Sequence, residues 1–407
     1  MTEDRPLLLD VTRLIARSWS RRLPTGIDRV GQAYLRRFAL RAQAVVQHRG
    51  AVRVLDRPHS QELFDLLLGS DAGFRRRMTA FAPRALGWGR APRPQPGTIY
   101  LNVNHTDFDL ASHQRWIRAA GLRSAYLLHD LIPLTHAEHC RPHAVRRHRG
   151  RVLGALRHGA GIVVSTAAVA RDLRDFARLE GLEVPPVLVA PIAGQRLAPP
   201  ARNVPDPGAP ARSAPARSAL RRPFFLCLGT IESRKNHRFL LDVWGMLVRR
   251  LGEQAPELVI AGQWGAGSDP VRRRLAGDPA LGGRVTLLER CGDDEVARLL
   301  AAATALLLPT LAEGYGLPMV EALQAGTPVI ASDLPCFHEV GQGIPTLLPV
   351  NAGLHWETAI AGFAPGTPEH DRQHAAMARF RPPTWESHFD RVETWLSALG
   401  AAPAHAE

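Results

Sequence analysis

Two glutamates, Glu313 and Glu321, stand eight positions apart in the run TLAEGYGLPMVEALQAGTPVIA at residues 310–331. Carboxylates so spaced can accept hydrogen bonds from hydroxyls, and Gly314 and Gly316 between them let the backbone approach a ligand closely. The apolar ALLLPT at 305–310 reads as a strand entering this loop. Pro318 suits the first helical position, where its missing N–H costs nothing, and Gly326 suits a helix stop. A helix starting at the carboxyl end of a strand presents backbone N–H groups and a favourable dipole to phosphate. Eight residues of helix span roughly 12 Å, which fits two ends of one extended polyhydroxylated anion better than one catalytic dyad. A solvated glutamate beside a capping one would give the same spacing.

A second cluster follows the apolar run FFLCLG, where GTIESRKNH at 229–237 places Arg234 and Lys235 at a strand-to-helix turn. Arginine binds phosphate oxygens through a fork and lysine supplies a compact point charge, so the pair could neutralise a diphosphate without a metal. Of 51 basic residues Lys235 is the single lysine, which sets it apart from a general arginine bias. His129 and Asp130 close the strand-like SAYLLHD, and PTGIDRV at 24–30 opens a helix after a glycine, Gly26. Asp293, Asp294 and Glu295 suggest a metal site at first sight. They open an amphipathic helix, where acids simply favour the dipole. His136, His139, His143 and His148 form no HExxH and no H-x3-H with supporting ligands, and no metal is expected.

The 310–331 segment, with its glycines, Pro318 and the following AGTPVIASD, resembles the Glu-x7-Glu motif of the family-four retaining glycosyltransferases, which use nucleotide sugars and have the GT-B fold. The resemblance implies that Glu313 contacts the hydroxyls of the donor sugar and Glu321 the nucleotide ribose. Backbone at Gly314, Tyr315, Gly316 and Leu317 would hold the sugar and pyrophosphate. Arg234 and Lys235 fall on the family's phosphate-binding pair, next to Gly229, while Thr230 stands where many members have an arginine. His129 would orient the donor sugar and stabilise developing oxocarbenium charge. Gly26 lies in a stretch resembling the glycine loop of O-antigen and capsule mannosyltransferases and would admit donor phosphate or acceptor. Ser165 also matches a family position, although a helix N-cap explains it equally well.

The implied catalytic set is thus His129, Glu313, Lys235 and Arg234, with donor contacts from Gly26, Gly229, Thr230, Gly314, Tyr315, Gly316, Leu317 and Glu321. The implied reaction is retaining, metal-independent transfer of a hexose, leaning to mannose. The donor is a nucleotide diphosphate sugar and the acceptor a lipid-linked or growing polysaccharide in cell-surface polysaccharide synthesis. Transfer from dTDP-rhamnose or a UDP-sugar stays open. No cofactor beyond the donor is expected.

The elements that must position these groups alternate between strands and helices on both sides of a Pro/Ala/Arg stretch. That alternation predicts α/β architecture with two doubly wound, parallel, Rossmann-like domains, and the GT-B resemblance has them facing an interdomain cleft. Residues 1–200 would form the acceptor-side domain, 201–222 a linker, and 223–381 the nucleotide-sugar domain. By resemblance, the C-terminal helix of 382–407 would cross back to the first domain. Residues 69–97, rich in Gly, Pro and Arg, read as a loop.

At 407 residues and 45% hydrophobic content, the chain has enough apolar material for two or three cores. Residues 1–222 carry 36 basic and 17 acidic side chains, whereas residues 223–407 carry 15 and 21. The basic half would suit an anionic membrane surface bearing a polyprenyl-diphosphate-linked acceptor. Nucleic acid would suit the same charge, but aromatics make up only 6% and no recognition motif accompanies it. Four scattered cysteines without C-x-x-C spacing fit a reducing compartment. No apolar run reaches the length of a membrane span and the N-terminus has no signal-peptide pattern, so the expected location is cytoplasmic, with peripheral contact at the inner face of the plasma membrane.

Overall fold

The computed structural model describes residues 7–20, 25–69, 73–86, 92–195, 197 and 223–401. The chain divides into two compact units. One comprises Met1–Ala137, Pro142–Ile192 and Pro383–Glu407, and the other Glu138–Arg141 and Ala193–Pro382. Ala193 to Gln195 thus belong to the second unit rather than to the domain drawn as 1–200. The linker expected at 201–222 lies outside the described residues.

In the first unit seven strands form one sheet: β1 (Leu7–Asp10), β2 (Ala42–His48), β3 (Ala51–Val54), β4 (Ile99–Asn102), β5 (Arg123–Leu128), β6 (Gly161–Val164) and β7 (Val187–Val189). Their order is β3-β2-β1-β4-β5-β6-β7, parallel throughout except for the antiparallel edge strand β3. That edge is a hairpin not anticipated from the sequence. Its turn uses Arg49 and Gly50, with φ of 49° and 85°. Two positive φ values match the twist of the flanking strands, but an arginine in the first position hides the signal.

The 69–97 stretch does not stay a loop. It contains the helix Phe74–Leu86, which buries Phe74, Met78, Phe81 and Ala85 at helical spacing. Arginines on the other positions of this helix masked the apolar stripe in a reading by composition. The helix Trp385–Ala401 packs within the first unit. Its His388 Nε2 lies 2.8 Å from the Tyr34 hydroxyl, and Phe389 meets Tyr34 edge-on at 5.1 Å.

The second unit has β8 (Phe224–Leu228), β9 (Glu257–Ala261), β10 (Val285–Leu288), β11 (Ala305–Leu308), β12 (Val329–Ser332) and β13 (Thr346–Leu348). All are parallel, in the order β10-β9-β8-β11-β12-β13. Buried on both faces, β8 reads as a continuous apolar run rather than an alternating one. Phe225, Cys227, Leu258, Ile260, Leu307 and Ile330 of the sheet pack with Leu240 and Trp244 of the helix His237–Leu251. Burial pushes the Cys227 thiol up to about 12, so it behaves as an apolar filler. In this order the chain reverses direction across the sheet between β8 and β11, where doubly wound sheets place ligands at the carboxyl ends of their strands. The corresponding reversal in the first unit lies between β1 and β4.

Candidate functional site

The two loops that leave β8 and β11 at this reversal carry the charged residues singled out in the sequence. After β8, Gly229 takes a φ of 132°, and Gly262 comes so near that a Cβ there would lie 1.8 Å from the Gly229 carbonyl oxygen. The loop passes Thr230 and makes a short turn, Ser233–Lys235. After β11 the chain reaches Gly316, with a φ of 99°, and starts the helix Leu317–Ala325. Pro318 is its second residue, and Gly326 ends it with a left-handed φ of 78°. A Cβ on Gly316 would also lie 2.6 Å from the Phe337 ring, so glycine is required there twice over.

Backbone zips the loops together. The Arg234 carbonyl accepts from the Leu311 N–H at 2.8 Å, and the Thr310 hydroxyl donates to it at 3.0 Å. Arg234 Nη1 donates to the Ala312 carbonyl at 3.0 Å. This register sets Lys235 Nζ on Glu313 Oε2, with Arg234 Nη1 3.3 Å from the same oxygen and Arg234 Nε 2.9 Å from Glu232. The Lys235 and Glu313 side chains are only 12% and 15% exposed, so the pair is little screened. Burial opposes charge on Glu313, but Lys235 and then Arg234 outweigh it and bring the carboxyl down to about 2. Lys235 and Arg234 thus lie beside Glu313 and Glu232, next to the backbone of Gly314, Tyr315, Gly316 and Leu317 at the positive end of a helix. Glu232 is a member that the spacing argument did not find.

Glu321 has different company. It is buried on the helix Leu317–Ala325, and its Oε1 accepts from the Gln195 N–H at 3.2 Å. The structure thus joins Glu313, Lys235 and Arg234 into one cluster and ties Glu321 to Gln195. Asp293 Oδ2 accepts from Gln195 Nε2 at 2.9 Å at the first turn of the helix Asp293–Ala302. Among the described residues no group of His, Cys, Asp and Glu is arranged to hold a metal ion. Nor is any helix among them long and apolar enough to cross a membrane.

In the first unit His129 follows β5 as expected, but its ring is buried and Nε2 donates to the Val103 carbonyl at 2.9 Å. Burial lowers its pKa to about 4, against the opposing pull of that hydrogen bond and Asp130, so the ring is neutral at pH 7. The His105 ring lies 5.0 Å from that of His129 and 5.6 Å from that of His148. Asp130 orients backbone, its Oδ1 accepting from the Ile132 N–H at 3.1 Å. Gly26 begins the helix Gly26–Phe38, which is fixed by a buried Asp28 missed at the sequence level. Asp28 accepts at 2.7 Å from Arg13 Nε, from Arg17 Nε and from the Thr25 hydroxyl. Ser165 does not cap its helix; the N-cap is Thr166, whose hydroxyl accepts from the Val169 N–H at 3.2 Å. The sequence reading also missed Asp10 at the end of β1, a carboxylate whose one sequence signal was its place closing the apolar LLLD. Burial raises it to about 6, although Gln47 Nε2 donates to it at 2.7 Å and the Tyr100 hydroxyl at 3.2 Å.

Residues 222–361, which contain the whole Glu313–Lys235–Arg234 cluster and Glu321, match the family model described as Glycosyl transferases group 1. The chain carries a group 1 glycosyltransferase domain. Over 229 residues, 56% of this chain, it is 30% identical to the serotype-specific mannosyltransferase WbdA of Escherichia coli, a stretch that makes up 28% of WbdA. It is 35% identical over 88 residues to the O-antigen chain mannosyltransferase RfbU of Salmonella typhimurium, covering 22% of this chain and 25% of RfbU. The matches thus span less than a third of the length of these curated relatives. Anabaena HepE, solved with UDP and glucose, superposes with a TM-score of 0.64 at 15% identity, covering 97% of this chain and 100% of HepE. Sucrose-phosphate synthase from Thermosynechococcus elongatus superposes with a TM-score of 0.61 at 14% identity, covering 98% of this chain and 100% of that one. With two Rossmann-like units, the second of which contains the glycosyltransferase domain, the fold is GT-B.

Proposed function

We propose that this protein transfers a hexose, mannose by preference, from a nucleotide diphosphate sugar to a saccharide acceptor in the synthesis of a cell-surface polysaccharide. The observation that carries the proposal is the Lys235–Glu313–Arg234 cluster at the strand-order reversal of the group 1 glycosyltransferase domain. The mannosyltransferase names of WbdA and RfbU support the sugar and the O-antigen context.

As the glycosidic bond to the diphosphate breaks, negative charge grows on the leaving oxygens and positive charge on the sugar. Arg234 and Lys235 neutralise the leaving diphosphate, with backbone N–H groups at the start of the helix Leu317–Ala325 adding dipolar stabilisation. Two cations suffice for that charge, so the reaction runs without a metal. Glu313 accepts hydrogen bonds from donor-sugar hydroxyls and exchanges part of its ion pair with Lys235 when the diphosphate arrives. Glu321 accepts from the ribose hydroxyls. The acceptor hydroxyl attacks the face from which the diphosphate departs, which retains the anomeric configuration.

The test is product formation from GDP-mannose, dTDP-rhamnose and UDP-glucose, offered with free and polyprenyl-diphosphate-linked saccharides. Transfer from GDP-mannose to the linked acceptor with the α-configuration kept is the expected result. Lys235→Ala and Glu313→Ala are each expected to lower turnover about 100-fold. Unchanged turnover in both variants would overturn the assignment.

A further inference from the structure

The chain enters the second unit at Ala193, and within two residues it lies against the helix Leu317–Ala325. A side chain at Gly194 would be crowded. A Cβ there would stand 3.1 Å from Glu321 Cγ, 3.1 Å from Val320 Cγ1 and 2.9 Å from Gln324 Oε1. The next residue, Gln195, donates its main-chain N–H to Glu321 Oε1 at 3.2 Å, and its side-chain Nε2 reaches Asp293 Oδ2 at 2.9 Å. The entering segment is therefore pinned at three points: by close packing at Gly194, by the backbone of Gln195, and by its side chain.

We infer that Gln195 is a positioning residue for nucleotide binding, its main-chain N–H fixing the Glu321 carboxylate in the orientation that receives the ribose hydroxyls. Glu321 is buried, and a buried carboxylate is orientationally free unless donors hold it. A main-chain N–H is suited to that task because it cannot swing away as a side chain can. The hydrogen bond from Gln195 holds one carboxylate oxygen from the side of the entering segment with a donor fixed in the backbone. Gly194 eases the approach, since a Cβ there would crowd Glu321 and Val320 and press on the segment.

The inference rests on the reading of Glu321 as the ribose-binding carboxylate, and the experiment separates the two. Affinities of the full chain for GDP and for 2′,3′-dideoxy-GDP are measured by titration calorimetry, and their ratio isolates what the ribose hydroxyls contribute. Gln195→Pro removes the N–H and keeps Glu321. Gly194→Ala displaces the segment by packing, and serves where the proline variant does not fold. Both are expected to reduce the GDP to dideoxy-GDP ratio about fivefold, with dideoxy-GDP affinity held within about twofold. A general loosening of the fold would weaken both ligands together. Wild-type ratios in the folded variants, alongside a collapsed ratio in Glu321→Ala, overturn the role of Gln195 and leave the ribose assignment standing. A wild-type ratio in Glu321→Ala overturns the ribose assignment, and the role of Gln195 with it.

Discussion

At the scale of single residues the charged groups divide by environment. Glu313 is held ionised by two adjacent cations, whereas Asp10, with no cation among its hydrogen-bond partners, is pushed up to about 6 by burial. The sign of the consequence follows from the direction. An acid whose folded pKa exceeds its ordinary 3.8 contributes stability below that value and loses it as pH rises through about 6. The gap of two units corresponds to about 3 kcal/mol, because Asp10 is fully buried. Urea denaturation from pH 4 to 7 is expected to show that loss in the wild type relative to Asp10→Asn, which does not titrate. A pH dependence identical in both would refute it. Lys235 was legible in the sequence because it is the one lysine among arginines, and Glu313 because a motif frames it. Asp10, Asp28 and Gln195 were not, since their roles arise from partners as distant in sequence as Tyr100, Arg13 and Glu321.

At the scale of elements, local sequence placed helices and strands well where apolar period and turn chemistry agreed. It failed where they conflicted. The stripe of Phe74, Met78, Phe81 and Ala85 is helical in spacing, but the arginines around it gave the segment a loop-like composition. The β2–β3 hairpin turns on Arg49 and Gly50, and only Gly50 announces a positive φ. The start of the helix Leu317–Ala325 is the element on which the proposed chemistry depends most directly. Gly316→Ala forces a left-handed φ on a side chain and drives a methyl into the Phe337 ring, so it is expected to destabilise the protein by about 2 kcal/mol. Chemical denaturation measures that cost. Phe337→Leu in the same background should recover part of it by relieving the clash and leave the backbone share, whereas full recovery or none would show that one of the two causes is absent.

For the whole molecule, buried neutral histidines set the acid limit. Burial holds His113, His129, His237 and His388 each at about 4, and both ring nitrogens of His237 lack a partner among the described residues. A histidine whose folded pKa lies below its ordinary 6.5 contributes stability above that value and loses it as pH falls through about 4. Asp10 acts in the opposite sense, but one carboxyl does not offset four imidazoles. The urea midpoint is therefore expected to drop steadily from pH 7 to 5, and a flat or rising midpoint would contradict this account. The sequence by itself determined the fold class and the group 1 domain and pointed to Lys235, Arg234, Glu313 and Glu321 as site candidates, because apolar runs, glycine turns and a local motif are properties of neighbours along the chain. Tertiary structure alone decided that Lys235 and Arg234 share Glu313, that Glu321 is tied to Gln195, and that Asp10 and Asp28 are buried with distant partners. Those pairings depend on which loops the strand order brings side by side, and on the loss of solvent around charges, and neither is written in any local stretch of residues.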